Sequence, residues 1–122
     1  MFRVPKDEAR ECRISMEVIA DAKDQEEQAM GWYYYLDDKI HFPFTAKCIK
    51  VLAKSPLNEG ECVNVIQLAP EDECIHEVFA EIEWQNRTLT VALVQLQPMD
   101  ADEQTQEAVE DWNYWMARGY EF

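Results

Sequence analysis

Two short stretches of this 122-residue sequence carry the residue types that could hold a hard cation. One is Asp37-Asp38, where a helical pattern ends. The other is Asp100-Ala101-Asp102-Glu103-Gln104, just after Pro98. Ca²⁺ takes roughly six to eight oxygens at about 2.3–2.6 Å, from carboxylates, amide and backbone carbonyls, and water. Asp100, Asp102 and Gln104 have the 1, 3, 5 spacing of an EF-hand loop, and Asp111 would fall at position 12. Position 6, however, is Thr105 rather than Gly, and position 12 is Asp rather than Glu. The stretch is not an EF-hand. Asp102 and Glu103 also read as an N-cap and a first-turn acid that match a helix dipole. Glu71-Asp72-Glu73 reads as a solvated loop run.

The acids are unevenly spread. From Glu71 to Phe122 thirteen Asp and Glu face only Arg87 and Arg118, a net of −11 in 52 residues, whereas the first 70 residues carry a net of −3. Such crowding opposes folding by self-repulsion unless something relieves it. A metal ion such as Ca²⁺, a basic protein partner and plain solvation all remain open on this ground. The overall charge of −14 excludes nucleic acid and anionic membrane as direct partners. No apolar run approaches the roughly 18 residues of a spanning helix. The start, MFRVPKDEAREC, lacks the apolar core of a signal peptide, so a cytoplasmic protein is expected.

The inventory for catalysis is poor, and no enzyme is expected. The two histidines, His41 and His76, sit in no metal or nucleophile motif, and Ser15 and Ser55 lack a G-x-S-x-G setting. Three glycines, Gly31, Gly60 and Gly119, make no phosphate loop. Cys12, Cys48, Cys62 and Cys74 form no Cys-x-x-Cys pair, and read as reduced, mostly buried small hydrophobes.

The elements that must position these residues follow from periodicity. Cys12, Ile14, Met16 and Val18 alternate with polar residues and predict a strand. Asp24-x-x-Glu27 resembles a capping box opening a helix from about Gln25 to Leu36. Its predicted inner face is Ala29, Met30, Tyr33 and Leu36, with Trp32 at the margin, and Gly31 costs it roughly 1 kcal/mol relative to Ala. Strands are predicted for Thr45–Leu52 and Cys62–Leu68. A hairpin with its turn at Gln85-Asn86-Arg87 joins Val78–Trp84 to a strand bearing Leu89, Val91 and Leu93. Glu81 and Glu83 fall on its solvated face. Pro98 breaks the chain, and Asp102 caps a last helix with Ala108, Val109, Trp112, Trp115 and Met116 on one face and Gly119 as terminator. Trp32, Tyr33–Tyr35, Trp112, Tyr114 and Trp115 read as packing between the helices. The chain is expected to be one domain over residues 1–122. Its fold class is α+β, a small curled antiparallel sheet or SH3-like barrel covered by two helices.

Several stretches together carry a resemblance. Gly31-Trp32-Tyr33-Tyr34-Tyr35-Leu36-Asp37-Asp38, Phe42-Pro43-Phe44-Thr45-Ala46, Glu83 to Leu89 and Asp111-Trp112-Asn113-Tyr114-Trp115 resemble the calcium-binding protein family first met in cyanobacteria. The resemblance spans about Ile14 to Phe122. It implies a small acidic cytosolic protein that binds Ca²⁺ outside the EF-hand scheme, as a buffer or sensor linked in filamentous cyanobacteria to heterocyst differentiation. It implies Asp38 as the leading ligand position, with Asp37 beside it and Asp100, Asp102 and Glu103 next. The four cysteines are not a feature of that family. The alternative from another class is an acidic interaction protein, or DNA mimic, that occupies a basic surface. Calcium requires carboxylates converging on a centre, while mimicry requires them spread at phosphate spacing along one face.

Overall fold

The segment read as a first strand is helical. The computed structural model describes residues 6–20, 22–52, 56–74 and 77–118. In it, α1 (Glu8–Arg13) starts at Asp7, whose carboxylate accepts from the N–H of Arg10, and runs on into a π turn, Ile14–Val18. The N–H of Ile19 donates to the carbonyl of Ile14 at 3.1 Å, the five-residue step of that turn. Ile14 and Val18 are buried, but Cys12 and Met16, the other half of the apparent alternation, are exposed. The operative spacing is four, not two. Arg10 and Arg13 decide it, because only a helix brings both to Asp111.

The second helix, α2 (Gln25–Lys39), begins as its sequence requires. Asp24 Oδ1 accepts from the N–H of Glu27 at 2.9 Å, and the Glu27 carboxylate reaches back to the N–H of Lys23. Its buried face is Ala29, Trp32, Tyr35 and Leu36, so the expected face is rotated. Trp32 is central, while Met30 is exposed and Tyr33 half-buried. Gly31 is explained by contact rather than by propensity: a Cβ there would lie 2.4 Å from the carbonyl oxygen of Val18. The helix and the π turn approach backbone to backbone, and only glycine fits between them.

Five antiparallel strands follow: β1 (Phe44–Cys48), β2 (Cys62–Leu68), β3 (Phe79–Trp84), β4 (Arg87–Ala92) and β5 (Leu96–Met99), in spatial order β4-β3-β2-β1-β5. The sheet is open, with β4 and β5 at its edges. Strand β1 stops before Ile49 and Val51, which are exposed. The hairpin turn is two residues, Gln85 and Asn86, both at positive φ (49° and 65°), and Arg87 already pairs with Trp84 in β4. Strand β5 overturns the reading of Pro98 as a break: Pro98 pairs with Ala46 on an edge strand, where a missing N–H is tolerated. The last helix, α3 (Glu103–Ala117), has Asp102 as its N-cap as expected. Gly119, Ser55 and His76 lie outside the described residues.

One buried cluster joins α2, α3 and the inward side chains of the strands. At its centre Trp32 meets Trp112 and Trp115 at 5.1 and 5.5 Å between ring centroids. Trp32, Tyr35, Trp112, Tyr114 and Trp115 are core, as the sequence suggests, but Tyr33 is half-buried and Tyr34 is exposed. Cys48 and Cys74 are buried in it as free thiols. Cys12 and Cys62 are also free but exposed, so only half the cysteines behave as expected. Among the described residues no helix is long and apolar enough to cross a membrane.

Candidate metal centre

Asp37 and Asp38 lie on the last turn of α2, both exposed. The helix ends where the N–H of Ile40 donates to the carbonyl of Leu36 at 2.9 Å, and the chain then turns extended. A helix C-terminus concentrates outward carbonyls and negative partial charge, so two carboxylates placed there attract cations and repel each other.

The residue after Ile40 ties this end to the other acidic stretch. The backbone N–H of His41 donates to Thr105 Oγ1 at 2.8 Å, and the His41 ring Nδ1 forms a short hydrogen bond with Asp102 Oδ2. Asp102 Oδ1 meanwhile accepts from the N–H of Thr105 at 2.7 Å. The Thr105 N–H and then the His41 ring hold the Asp102 carboxyl down at about 2. Asp102 is thus a cap with both oxygens engaged and its carboxylate ionised well below neutral pH.

Asp100 sits at positive φ (56°) in the turn between β5 and α3, and its carboxylate is exposed. It shares with Asp102 a cleft of about 360 Å³ that is also lined by His41, Thr45, Asn64 and Met99. Thr45 and Asn64 face one another across β1 and β2, which brings their side-chain oxygens to the same opening. Phe42, Pro43, Phe44 and Ala101 also line it, so the carboxylates the cleft offers a cation are those of Asp100 and Asp102. Asp37 and Asp38 are not part of it. Glu103 turns the other way, into a hollow shared with Arg10, Arg13, Glu107 and Glu110, where two guanidinium groups already offset the acids. Among the described residues, no three His, Cys, Asp or Glu side chains gather into a metal cage.

Asp111 has a quite different part from position 12 of a loop. It is fully buried, and it accepts from Arg10 Nη1 (2.7 Å), Arg13 Nε (2.9 Å), Arg13 Nη2 (2.8 Å) and the Tyr35 hydroxyl (3.1 Å). Its hydrogen bond pushes the Arg13 guanidinium above its usual range, and burial beside it raises the Tyr35 phenol. This acid clamps α1 to α3 and α2. Its signal in the sequence is an Asp set within the apolar stripe next to Trp112. Glu71–Glu73 forms a single exposed 3₁₀ turn whose first acid accepts from the Tyr34 hydroxyl at 2.8 Å. The pairing of His41 with Asp102, 61 positions apart, has no local signal at all.

An open antiparallel sheet packed with two helices, with acids exposed at the α2 end and the β5–α3 turn, defines a small α+β protein. Residues 12–116 match the CcbP family, described as calcium binding, and the chain belongs to that family. A solved structure described as the crystal structure of Anabaena CcbP is 46% identical, with a TM-score of 0.87 over 100% of both chains. Another, described as a calcium binding protein in the calcium-binding form, is 45% identical, with a TM-score of 0.86 over 100% of both chains. No curated protein matches. The resemblance carried by the GWYYYLDD stretch is upheld, and Ca²⁺ is the ion of this family.

Proposed function

We propose that this chain binds Ca²⁺ through surface carboxylates at the α2 end and the β5–α3 turn, and acts as an intracellular calcium buffer. The observation that carries the reading is the link through His41, which sets Asp37-Asp38 and Asp100-Asp102 on adjoining segments. Asp38 and Asp37, with nearby backbone carbonyls, supply the tighter position. Asp100 supplies the weaker one, since Asp102 reaches an ion only by giving up His41, and the α3 N-terminus disfavours a cation. Glu103 stands last, facing the arginines. Exposed, incompletely gathered ligands support micromolar to sub-millimolar affinity, with Mg²⁺ weaker because it demands near-octahedral geometry and sheds water reluctantly.

Calorimetric titration with Ca²⁺ and then Mg²⁺ tests this. Asp38→Asn keeps the volume and one oxygen but removes a charge, so it should weaken Ca²⁺ binding about tenfold without unfolding the chain. Glu81→Gln, on β3 and away from both segments, should leave binding unchanged. Equal losses from the two variants would make the attraction that of a diffuse polyanion and sink the assignment. Absence of any heat or amide shift at millimolar Ca²⁺ would sink the function itself.

A further inference from the structure

The outward side of α2 carries an exposed apolar surface that neither the core nor the acidic ends account for. Met16 is 70% exposed, Tyr34 51% and Met30 39%, and all three line one groove of about 430 Å³ between the π turn and α2. Gly31, where the π turn and α2 meet backbone to backbone, lines this groove. Met30 is also the wall of an adjoining hollow of about 390 Å³, floored by Ala29, Tyr33 and Cys74. Glu17 and Glu27 stand on the rim of the first, and Glu26, Glu71 and Asp72 on the rim of the second. No Lys or Arg is among the described lining residues of either. The Tyr34 hydroxyl donates to Glu71, so this ring is held across the junction of the two.

From this arrangement we infer that the α2 face is a docking surface for a basic amphipathic helix of another protein. Methionine side chains are flexible and polarisable, and they adapt to differently shaped apolar partners. An apolar groove takes the i, i+3, i+4, i+7 side chains of a docked helix, while a rim of five acids selects Lys and Arg on its flanks. The same rim argues against other occupants. A second copy of this chain would bring an identical set of acids to the interface, and an anionic lipid surface or a nucleic acid would be repelled. The groove lies along the middle of α2, whereas Asp37 and Asp38 lie at its end.

The probe is a fluorescein-labelled helical peptide of about 18 residues, roughly 27 Å long, with Leu on one face and Lys on the other. Anisotropy should show saturable one-to-one binding, and amide shifts should map to Met16–Val18 and Met30–Tyr34. Met16→Gln with Met30→Gln touches only exposed side chains. That double variant should keep its circular dichroism and its Ca²⁺ titration, yet bind the peptide at least about tenfold more weakly. A peptide of the same composition scrambled to destroy its apolar face should bind with similar weakness. Equal binding of the scrambled peptide, or wild-type binding by the double variant, would reduce the effect to charge attraction and overturn the inference. Concentration-dependent dimerisation of the wild type, lost in the double variant, would assign the face to a second copy instead. Because Ca²⁺ is titrated separately, failure here is distinguishable from failure of the calcium reading.

Discussion

Replacing Asp111 by Asn should be among the most damaging single changes in the chain. The carboxylate is fully buried and accepts four hydrogen bonds, three from guanidinium nitrogens at 2.7–2.9 Å and one from Tyr35 at 3.1 Å. Asn keeps one acceptor oxygen and turns an NH₂ group toward guanidinium donors, so at least one arginine loses its partner. Breaking a buried ion pair from one side costs about 3–5 kcal/mol. The Arg10 and Arg13 side chains are 22% and 24% exposed, so water recovers part of their hydration and the lower end applies, about 3 kcal/mol. For a chain of this size that corresponds to a fall in Tm of about 10 °C. Urea unfolding followed by tryptophan fluorescence measures the loss, since Trp32, Trp112 and Trp115 share the core. Hydrogen exchange should show α1 and the π turn losing protection before the sheet does. A loss below about 1 kcal/mol with α1 protection intact would refute the view that this clamp holds the N-terminal segment in place.

Gly31→Ala should destabilise by about 1–2 kcal/mol despite the roughly 1 kcal/mol that alanine gains in helix propensity, because the new Cβ meets a backbone oxygen that cannot step aside. A higher urea midpoint in that variant would contradict the close approach. The folded Asp102 carboxyl, at about 2, lies below its ordinary value, so the unfolded chain binds more protons in the intervening window. This contribution to stability is present above about pH 4 and is lost as pH falls toward 2. Urea midpoints measured down that range should show the loss, and Asp102→Asn, which keeps an N-cap, should flatten it. Ca²⁺ at a hundredfold above its dissociation constant should stabilise by about 2.7 kcal/mol per site. If NaCl at equal ionic strength reproduces that whole gain in a thermal scan, the effect is screening rather than a site.

The parts of the fold that are legible in the sequence are those specified by local chemistry. Asp24 and Asp102 mark two helix starts because a cap is a contact within three residues. Strand β2 is recovered with its bounds, and the Gln85-Asn86 turn within one residue, since alternation and turn chemistry are also short-range. The failures are settled at a distance. Whether Ile14 and Val18 belong to a strand or a helix depends on Arg10 and Arg13 finding Asp111 about a hundred positions later. Pro98 can join a strand only because β5 is an edge, which no local pattern reveals. The inner face of α2 departs from the expected one because nearly every residue from Ala29 to Leu36 is aromatic or apolar, so periodicity does not distinguish the faces. The acidic candidates were visible as residue types and spacing. Their division was not: Asp102 is drawn to His41, and Glu103 turns to the arginines, through contacts far apart in sequence.

The contacts of His41 have a consequence for how such a protein would fill. His41 joins the two ends of the acidic region: its backbone follows Asp38 by three residues, and its ring and N–H hold the first turn of α3. On the proposed assignment, an ion that rearranged the α2 terminus would pull on Asp102 and the β5–α3 turn, and an ion that drew Asp102 away from the ring would loosen the α2 terminus in return. Two ions bound there would not be independent. By thermodynamic reciprocity, whatever factor the first changes in the affinity for the second, the second changes in the affinity for the first. The sign of that factor shapes the range of free calcium over which the chain responds: favourable coupling narrows it, and antagonism widens it.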